Sequence, residues 1–131
     1  MIQRESKFSI LFRHWIKANK MLTCTFEMKD SRGKDSIPFS EVKQAQIDWG
    51  LAVNSDKGVL IRIQAIAEGM PDYAYFRNEP AYFICKYPKS FSIISVGTFL
   101  LEKERSKRKS LTELRASEIS IKTIKIGKLL N

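Results

Sequence analysis

Residues 21–29, MLTCTFEMK, alternate between polar-side and apolar-side positions from Leu22 to the end. Leu22, Cys24, Phe26 and Met28 fall on one side, and Met21, Thr23, Thr25, Glu27 and Lys29 on the other. A period of two is that of a β-strand, whose successive side chains point to opposite faces. One face is therefore apolar, and Glu27 and Lys29 end the opposite face as neighbours. A single strand cannot hold such a face out of water alone. The chain must supply further strands and a layer to cover them.

The rest of the chain offers those parts. In residues 4–19, Phe8, Leu11, Phe12 and Trp15 share one helical face, and Glu5 projects from the first turn. Residues 30–36, DSRGKDS, form a polar turn. Ser40 is the expected N-cap of a helix over 41–53, with Val42, Ala45, Trp49 and Ala52 on its apolar face and Gln46 beside it. A loop over 54–58 leads to 59–67, VLIRIQAIA, apolar enough to be a central strand. After a turn at 68–72, strands are expected over 73–76 and 81–87, punctuated by Pro80 and Pro88. Residues 91–96 read either as a short strand or as the lead-in to a helix near 97–105. A further helix is expected from Ser110, with Ser110 as cap and Glu113 completing a capping box. The tail alternates isoleucine and lysine, as an edge strand or an unstructured end would. The fold class is α/β (α+β), with a mixed central sheet flanked by helices. Residues 1–105 make the core, and 106–131 a basic C-terminal helix and tail of the same domain, or a partly flexible one.

Composition narrows the function. The 131 residues carry 23 Lys and Arg against 14 Asp and Glu, a net charge of +9. A surface this basic suits an anionic partner, nucleic acid before an acidic membrane. No apolar run approaches the roughly 20 residues of a membrane span, and the N-terminus has no apolar signal segment. One histidine and two separated cysteines cannot make a structural zinc site. His14 reads as a surface or half-buried residue, and Cys24 and Cys85 as free core thiols. Trp15 and Trp49 read as core residues. No Gly-rich phosphate loop or GxSxG elbow is present, so nucleotide hydrolysis and serine hydrolysis lack a signature, and the expected partner is nucleic acid rather than a small-molecule substrate.

Glu27 and Lys29, two residues apart on one strand face, stand roughly 7 Å apart by strand rise. A carboxylate there can hold a hard divalent cation, and an ammonium can stabilise charge on a phosphate or orient a water. By spacing alone most such triplets are solvated strand faces.

The stretch FEMKDSRGKDSIPFSEVKQAQIDWGLAVNSDKGVLIRI resembles the core of bacterial and phage Holliday-junction resolvases of the PD-(D/E)xK nuclease superfamily. There a strand ending in E-x-K is followed by a turn and a Ser-Ile/Phe-Pro segment. A helix with an H-Q-I-E-like patch and a strand like GVLIRI come next. Here SIPF spans 36–39, Gln46-Ile47-Asp48 occupies the patch, and Tyr73–Phe76 resembles the family's Y-F strand. The resemblance covers roughly residues 4–100. It implies a restriction-endonuclease-like core and a Mg²⁺- or Mn²⁺-dependent endonuclease acting on branched DNA as a homodimer, in the cytoplasm of a bacterial or phage-infected cell. On that pattern Glu27 is a metal ligand, Lys29 the catalytic lysine, Glu5 the acid offered by the first helix, and Gln46 the polar residue offered by the next. The family's Asp on a preceding strand has no counterpart, because no acid lies between Glu5 and Glu27. The nearby alternatives are Asp30, Asp35 and Asp48. The competing expectations are a non-catalytic DNA-binding module on the same fold and a basic RNA-binding domain.

DNA-backbone contacts are expected from Arg32 and Lys34 beside the site, and from the charge run Lys103, Arg105, Lys107, Arg108 and Lys109. Lys57, Arg62, Arg77, Lys86 and Lys89 extend the same basic surface. Phosphate contacts of this kind bring affinity without sequence preference.

Overall fold

A computed structural model describes residues 25–62 and 73–129 of the chain. The expected first helix, with Glu5, His14 and Trp15, the start of the first strand with Cys24, and residues 63–72 lie outside the described residues.

Strand β1 (Thr25–Asp30) realises the alternation read from the sequence. It pairs in parallel with β5 (Ala81–Lys86), and β5 forms an antiparallel hairpin with β6 (Ser90–Ser95). Strand β8 (Lys122–Lys125) pairs antiparallel with β6, giving a mixed four-stranded sheet in the order β1-β5-β6-β8. A parallel pair needs a long crossover. The crossover from β1 to β5 carries β2 (Ser36–Pro38), a single 3-10 turn (Phe39–Glu41), helix α1 (Gln44–Asn54), β3 (Val59–Arg62) and β4 (Tyr73–Phe76). Helix α2 (Val96–Arg105) follows β6, then come β7 (Ser110–Thr112), helix α3 (Glu113–Ile119), β8 and the short α4 (Ile126–Leu129).

The main core lies on one sheet face. Phe83 and Cys85 of β5 and Ile94 of β6 pack with Ile47 of α1, Val96 and Phe99 of α2, and Ala116 of α3. Ile37, Phe39, Val42 and Leu111 seal this layer from the side. On the opposite face, Ile84, Phe91 and Ile93 are buried with Met28 and Ile124 against them. The parallel register sets Glu27 opposite Phe83 and Lys29 opposite Cys85. Paired residues share a face, so both charged residues lie on the helix-covered side.

Several expectations are corrected. The helix expected over 41–53 begins at Gln44, because Pro38 leads into a 3-10 turn and Val42 is extended. That interruption resets the helical phase. The buried stripe is Ile47, Gly50 and Val53, while Ala45 is exposed and Trp49 is 41% exposed, so Trp49 is no core residue. Gly50 is where α1 meets α2. A Cβ there would come within 2.7 Å of a Val96 methyl.

The expected central strand at 59 pairs only with β4 among the described residues, and Leu60 and its partner Tyr75 are both largely exposed. The helix expected from Ser110 starts at Glu113. Ser110–Thr112 are β7, paired antiparallel with β2, and Thr112 caps the helix by accepting from the Arg115 N–H. Glu113 makes no capping box. Its carboxylate accepts from the Ser90 hydroxyl at 2.7 Å. The tail from 122 is the edge strand β8. No described helix is long and apolar enough to cross a membrane.

Cys85 is fully buried and free, and burial pushes its thiol up to about 12, against a smaller downward pull from Lys29. Tyr87 is also fully buried, its hydroxyl donating to the Leu111 carbonyl at 2.9 Å, and burial raises its phenol as well. Both shifts work in one direction. Below about pH 9 the thiol is neutral in folded and unfolded chains alike. Above it the unfolded chain releases a proton that the folded chain keeps, so stability falls as pH rises from about 9 to 12. The expected loss from Cys85 is up to about 1.4 kcal/mol per pH unit in that window. Urea unfolding at pH 8 and pH 10.5 measures it. The Cys85→Ala variant should show the flatter alkaline slope, and equal slopes would remove Cys85 as the cause.

Candidate active site

Glu27 and Lys29 leave the same face of β1. Their side chains lean together, so the Lys29 Nζ stands 3.9 Å from the Glu27 Oε1, closer than strand rise alone suggests. Lys29 is largely covered, with 15% of its side chain exposed against 49% for Glu27. The Lys29 ammonium also donates to the Glu41 carbonyl at 3.2 Å. The 3-10 turn thus provides a fixed acceptor for a buried-stem lysine.

Gln46 lies in the first turn of α1, and its amide is pinned at both ends. Its Oε1 accepts from the Lys43 N–H at 3.1 Å, satisfying a donor that the helix start leaves unpaired. Its Nε2 donates to the Glu27 Oε1 at 3.0 Å. Turning the amide over would lose both bonds. The structure therefore brings Glu27, Lys29 and Gln46 together, with Gln46 and Lys29 converging on the same carboxylate oxygen. The Glu27 Oε2 takes no partner among the described residues.

Glu5, the other expected acid, lies outside the described residues. Of the three nearby aspartates, Asp30 and Asp48 have their carboxylates engaged elsewhere, and Asp35 is exposed on the loop after β1. Asp30 accepts from the Arg32 N–H at 2.8 Å and pairs with Lys86 at 3.9 Å, which makes it a turn former. The Asp35 carbonyl accepts from the Glu113 N–H, tying the end of the 31–35 loop to α3. Asp48 accepts from the Gln44 amide one helical turn away. Among the described residues no three His, Cys, Asp or Glu side chains gather into a metal-holding group.

The expected DNA-contacting residues sit on two segments. Arg32 and Lys34 are exposed on the loop after β1, where Arg32 takes a left-handed conformation (φ 57°) stabilised by Asp30. Lys103 and Arg105 lie in the last turn of α2, and Lys107, Arg108 and Lys109 are exposed in the loop after it. Two contributors escaped sequence reasoning, the Glu41 carbonyl and the Lys43 N–H. Both are backbone groups and carry no side-chain signature.

The donor set can be matched to a metal. Mg²⁺ and Mn²⁺ take hard oxygen ligands, and Mg²⁺ characteristically uses one or two carboxylates with substrate phosphate and retained waters. Glu27 offers one half-exposed carboxylate with Oε2 open, whereas the Gln46 amide oxygen is committed to Lys43. Among the described residues Glu27 is thus a single candidate carboxylate, and they do not by themselves assemble a metal site. No family model, curated protein or solved structure matches the chain.

Proposed function

We propose that the protein is a metal-dependent DNA endonuclease acting on branched DNA as a homodimer, in the cytoplasm of a bacterial or phage-infected cell. The observation that carries this reading is the convergence of Lys29 and Gln46, from two separate elements, on one oxygen of Glu27. Glu27 and Glu5 would hold Mg²⁺ or Mn²⁺. When bound, such a cation acidifies a water and neutralises charge on the departing oxygen of a phosphodiester.

The chain's own residues do the positioning. Gln46 fixes the Glu27 carboxylate by donating to Oε1 and leaves Oε2 without a partner among the described residues. Lys29 has three N–H donors and spends one on the Glu41 carbonyl, which keeps its charge aimed along the same face. A cation held there stabilises the growing negative charge of a phosphate under attack and orients the attacking water. The +9 net charge favours capture of a polyanion, and a two-fold dimer suits a junction with two equivalent strands.

The test is incubation of the purified protein with a labelled four-way junction and a matched linear duplex, with Mg²⁺, Mn²⁺ or EDTA. Paired nicks in the junction alone, present with metal and absent with EDTA, are expected. A shifted band uncut under every metal would instead make the protein a DNA-binding module. Preference for structured RNA would overturn the DNA reading altogether.

A further inference from the structure

The basic run after residue 102 is divided by the structure. Lys103 and Arg105 occupy the last turn of α2, where the exposed carbonyls of the helix end stabilise cations. Their place in the fold is reason enough for them. Lys107, Arg108 and Lys109 lie beyond the helix, fully at the surface, and none forms an ion pair with a described residue. Of the acids near this loop, Glu102 and Glu118 are both taken by Arg115, while Glu104 and Glu41 are exposed and in no ion pair among the described residues, too few to neutralise it.

Three adjacent, unneutralised cations would suit a slack, solvated loop, but this loop is pinned. The Ser106 N–H donates to the Glu102 carbonyl at 2.8 Å, and the Arg108 N–H donates to the Ser106 hydroxyl at 3.1 Å. The Lys109 carbonyl accepts from the Phe39 N–H at 3.0 Å, and the next residue, Ser110, pairs with Pro38. Phe39 opens the 3-10 turn that closes at Glu41, whose carbonyl holds Lys29. The basic loop is therefore joined to the seat of Lys29 through one hydrogen-bonded turn. At the other end of β2, the 31–35 loop carries Arg32 and Lys34, also without ion pairs among the described residues. Lys34 and Phe39, whose N–H holds Lys109, are five positions apart along this strip, at most about 17 Å by strand rise. Asp35 and Glu41 oppose these five cations on the same strip and leave it net positive.

We infer that a DNA backbone lies along β2, gripped by Lys107, Arg108 and Lys109 at one end and by Arg32 and Lys34 at the other. This grip sets which phosphate reaches Lys29. The inference rests on the nuclease reading for the identity of its ligand. Each lost phosphate contact should lower the salt-dependence slope of DNA binding by about one.

The experiment is fluorescence anisotropy with a labelled linear duplex over a salt series in EDTA. The variants are Lys107→Ala/Arg108→Ala/Lys109→Ala, Arg32→Ala/Lys34→Ala, and Lys122→Ala/Lys125→Ala on β8, at the far edge of the sheet from β1. The first should reduce the slope by about two to three and weaken binding tenfold or more at 100 mM salt, and the second should reduce the slope by about one to two. The β8 variant should keep the wild-type slope. The fold contacts of the loop are made by its backbone and Ser106, so the triple variant should melt with the wild type. An unchanged slope in the triple variant, or an equal loss in the β8 variant, would overturn the clamp. Binding is read without metal, so the two readings fail separately. A protein that shows the expected slopes yet never cuts keeps the clamp and loses the nuclease. One that cuts while the triple variant binds as wild type keeps the nuclease and loses the clamp.

Discussion

Replacing Lys29 with alanine is expected to lower metal-dependent junction cleavage by about two to three orders of magnitude while weakening junction binding far less. Removing one preorganised charge or donor aimed at a reacting oxygen typically costs that much in rate. The geometry concentrates the effect on this residue. Its stem is covered, and its ammonium is held between the Glu27 carboxylate and the Glu41 carbonyl. Glu27→Gln should be as damaging, because it keeps the side-chain shape but removes the charge that attracts the cation. Gln46→Ala should behave differently. Gln46 is a positioning residue, so its loss should raise the Mg²⁺ concentration needed for half-maximal cleavage, by about tenfold if the lost hydrogen bond contributes near 1.4 kcal/mol. It should also cost about 1 kcal/mol of stability, because the same amide caps α1. Single-turnover cleavage of a labelled junction across a metal titration separates these outcomes. If Lys29→Ala cuts as fast as the wild type, the Glu27–Lys29 pair plays no part in the reaction and only helps to hold the strand face.

The parts of this site that were legible from sequence are those carried by side chains on a regular element. Alternation over 21–29 assigned both faces of β1, because each residue tests the period again, and that put Glu27 beside Lys29. Strand β5 was legible for a related reason, since Pro80 and Pro88 bound it. Residues 91–96 read equally as a strand or a helix lead-in, and the structure divides them at Ser95, which opens α2 by accepting from the Thr98 N–H. The proximity of Gln46 to Glu27 came from resemblance, since nothing local in QAQIDW points to a residue nineteen positions earlier.

What escaped was long-range or phase-dependent. Strands β2 and β7 are three residues each and meet through Ile37 and Leu111. Neither segment has a period long enough to read, so Ser110 passed for a helix cap. Trp49 was misplaced because a helix drawn through Val42 carries the wrong phase once the 3-10 turn intervenes. Leu60 was misplaced because an apolar run looks the same in a central strand and in a two-stranded ribbon. The clamp loop shows the same limit. Its charges are plain in the sequence, but its link to Lys29 runs through the β2–β7 pairing and a backbone hydrogen bond.

Phe99→Ala should be the most destabilising single change in the helix-covered core, at about 3–5 kcal/mol out of a total of about 5–15 for a domain of this size. Phe99 is 1% exposed and meets two other rings edge-on, Phe83 of β5 at 4.8 Å and Phe39 of the 3-10 turn at 5.7 Å between centroids. Truncation would leave a cavity bounded by sheet, helix and turn, and the sheet side cannot collapse without breaking its ladder. Urea unfolding should show the midpoint lowered by about 1–3 M, given ordinary slopes for small domains. The location of the ring adds a second, more specific consequence. Phe39 begins the turn that ends at Glu41 and bonds the Lys109 backbone, so its lost partner should loosen the seat of Lys29 even in molecules that remain folded. Phe91→Ala is the control. Phe91 is fully buried on the opposite sheet face, with Ile84 and Ile93 and away from the turn. Both variants should lose comparable stability, but at 10 °C, where both are mostly folded, only Phe99→Ala should cut more slowly than the wild type. Equal rates in the two variants would mean that the turn holds Lys29 without help from the Phe39–Phe99 contact. A midpoint shift below about 0.3 M for Phe99→Ala would mean that this core is not close-packed at the junction of α2 and the sheet.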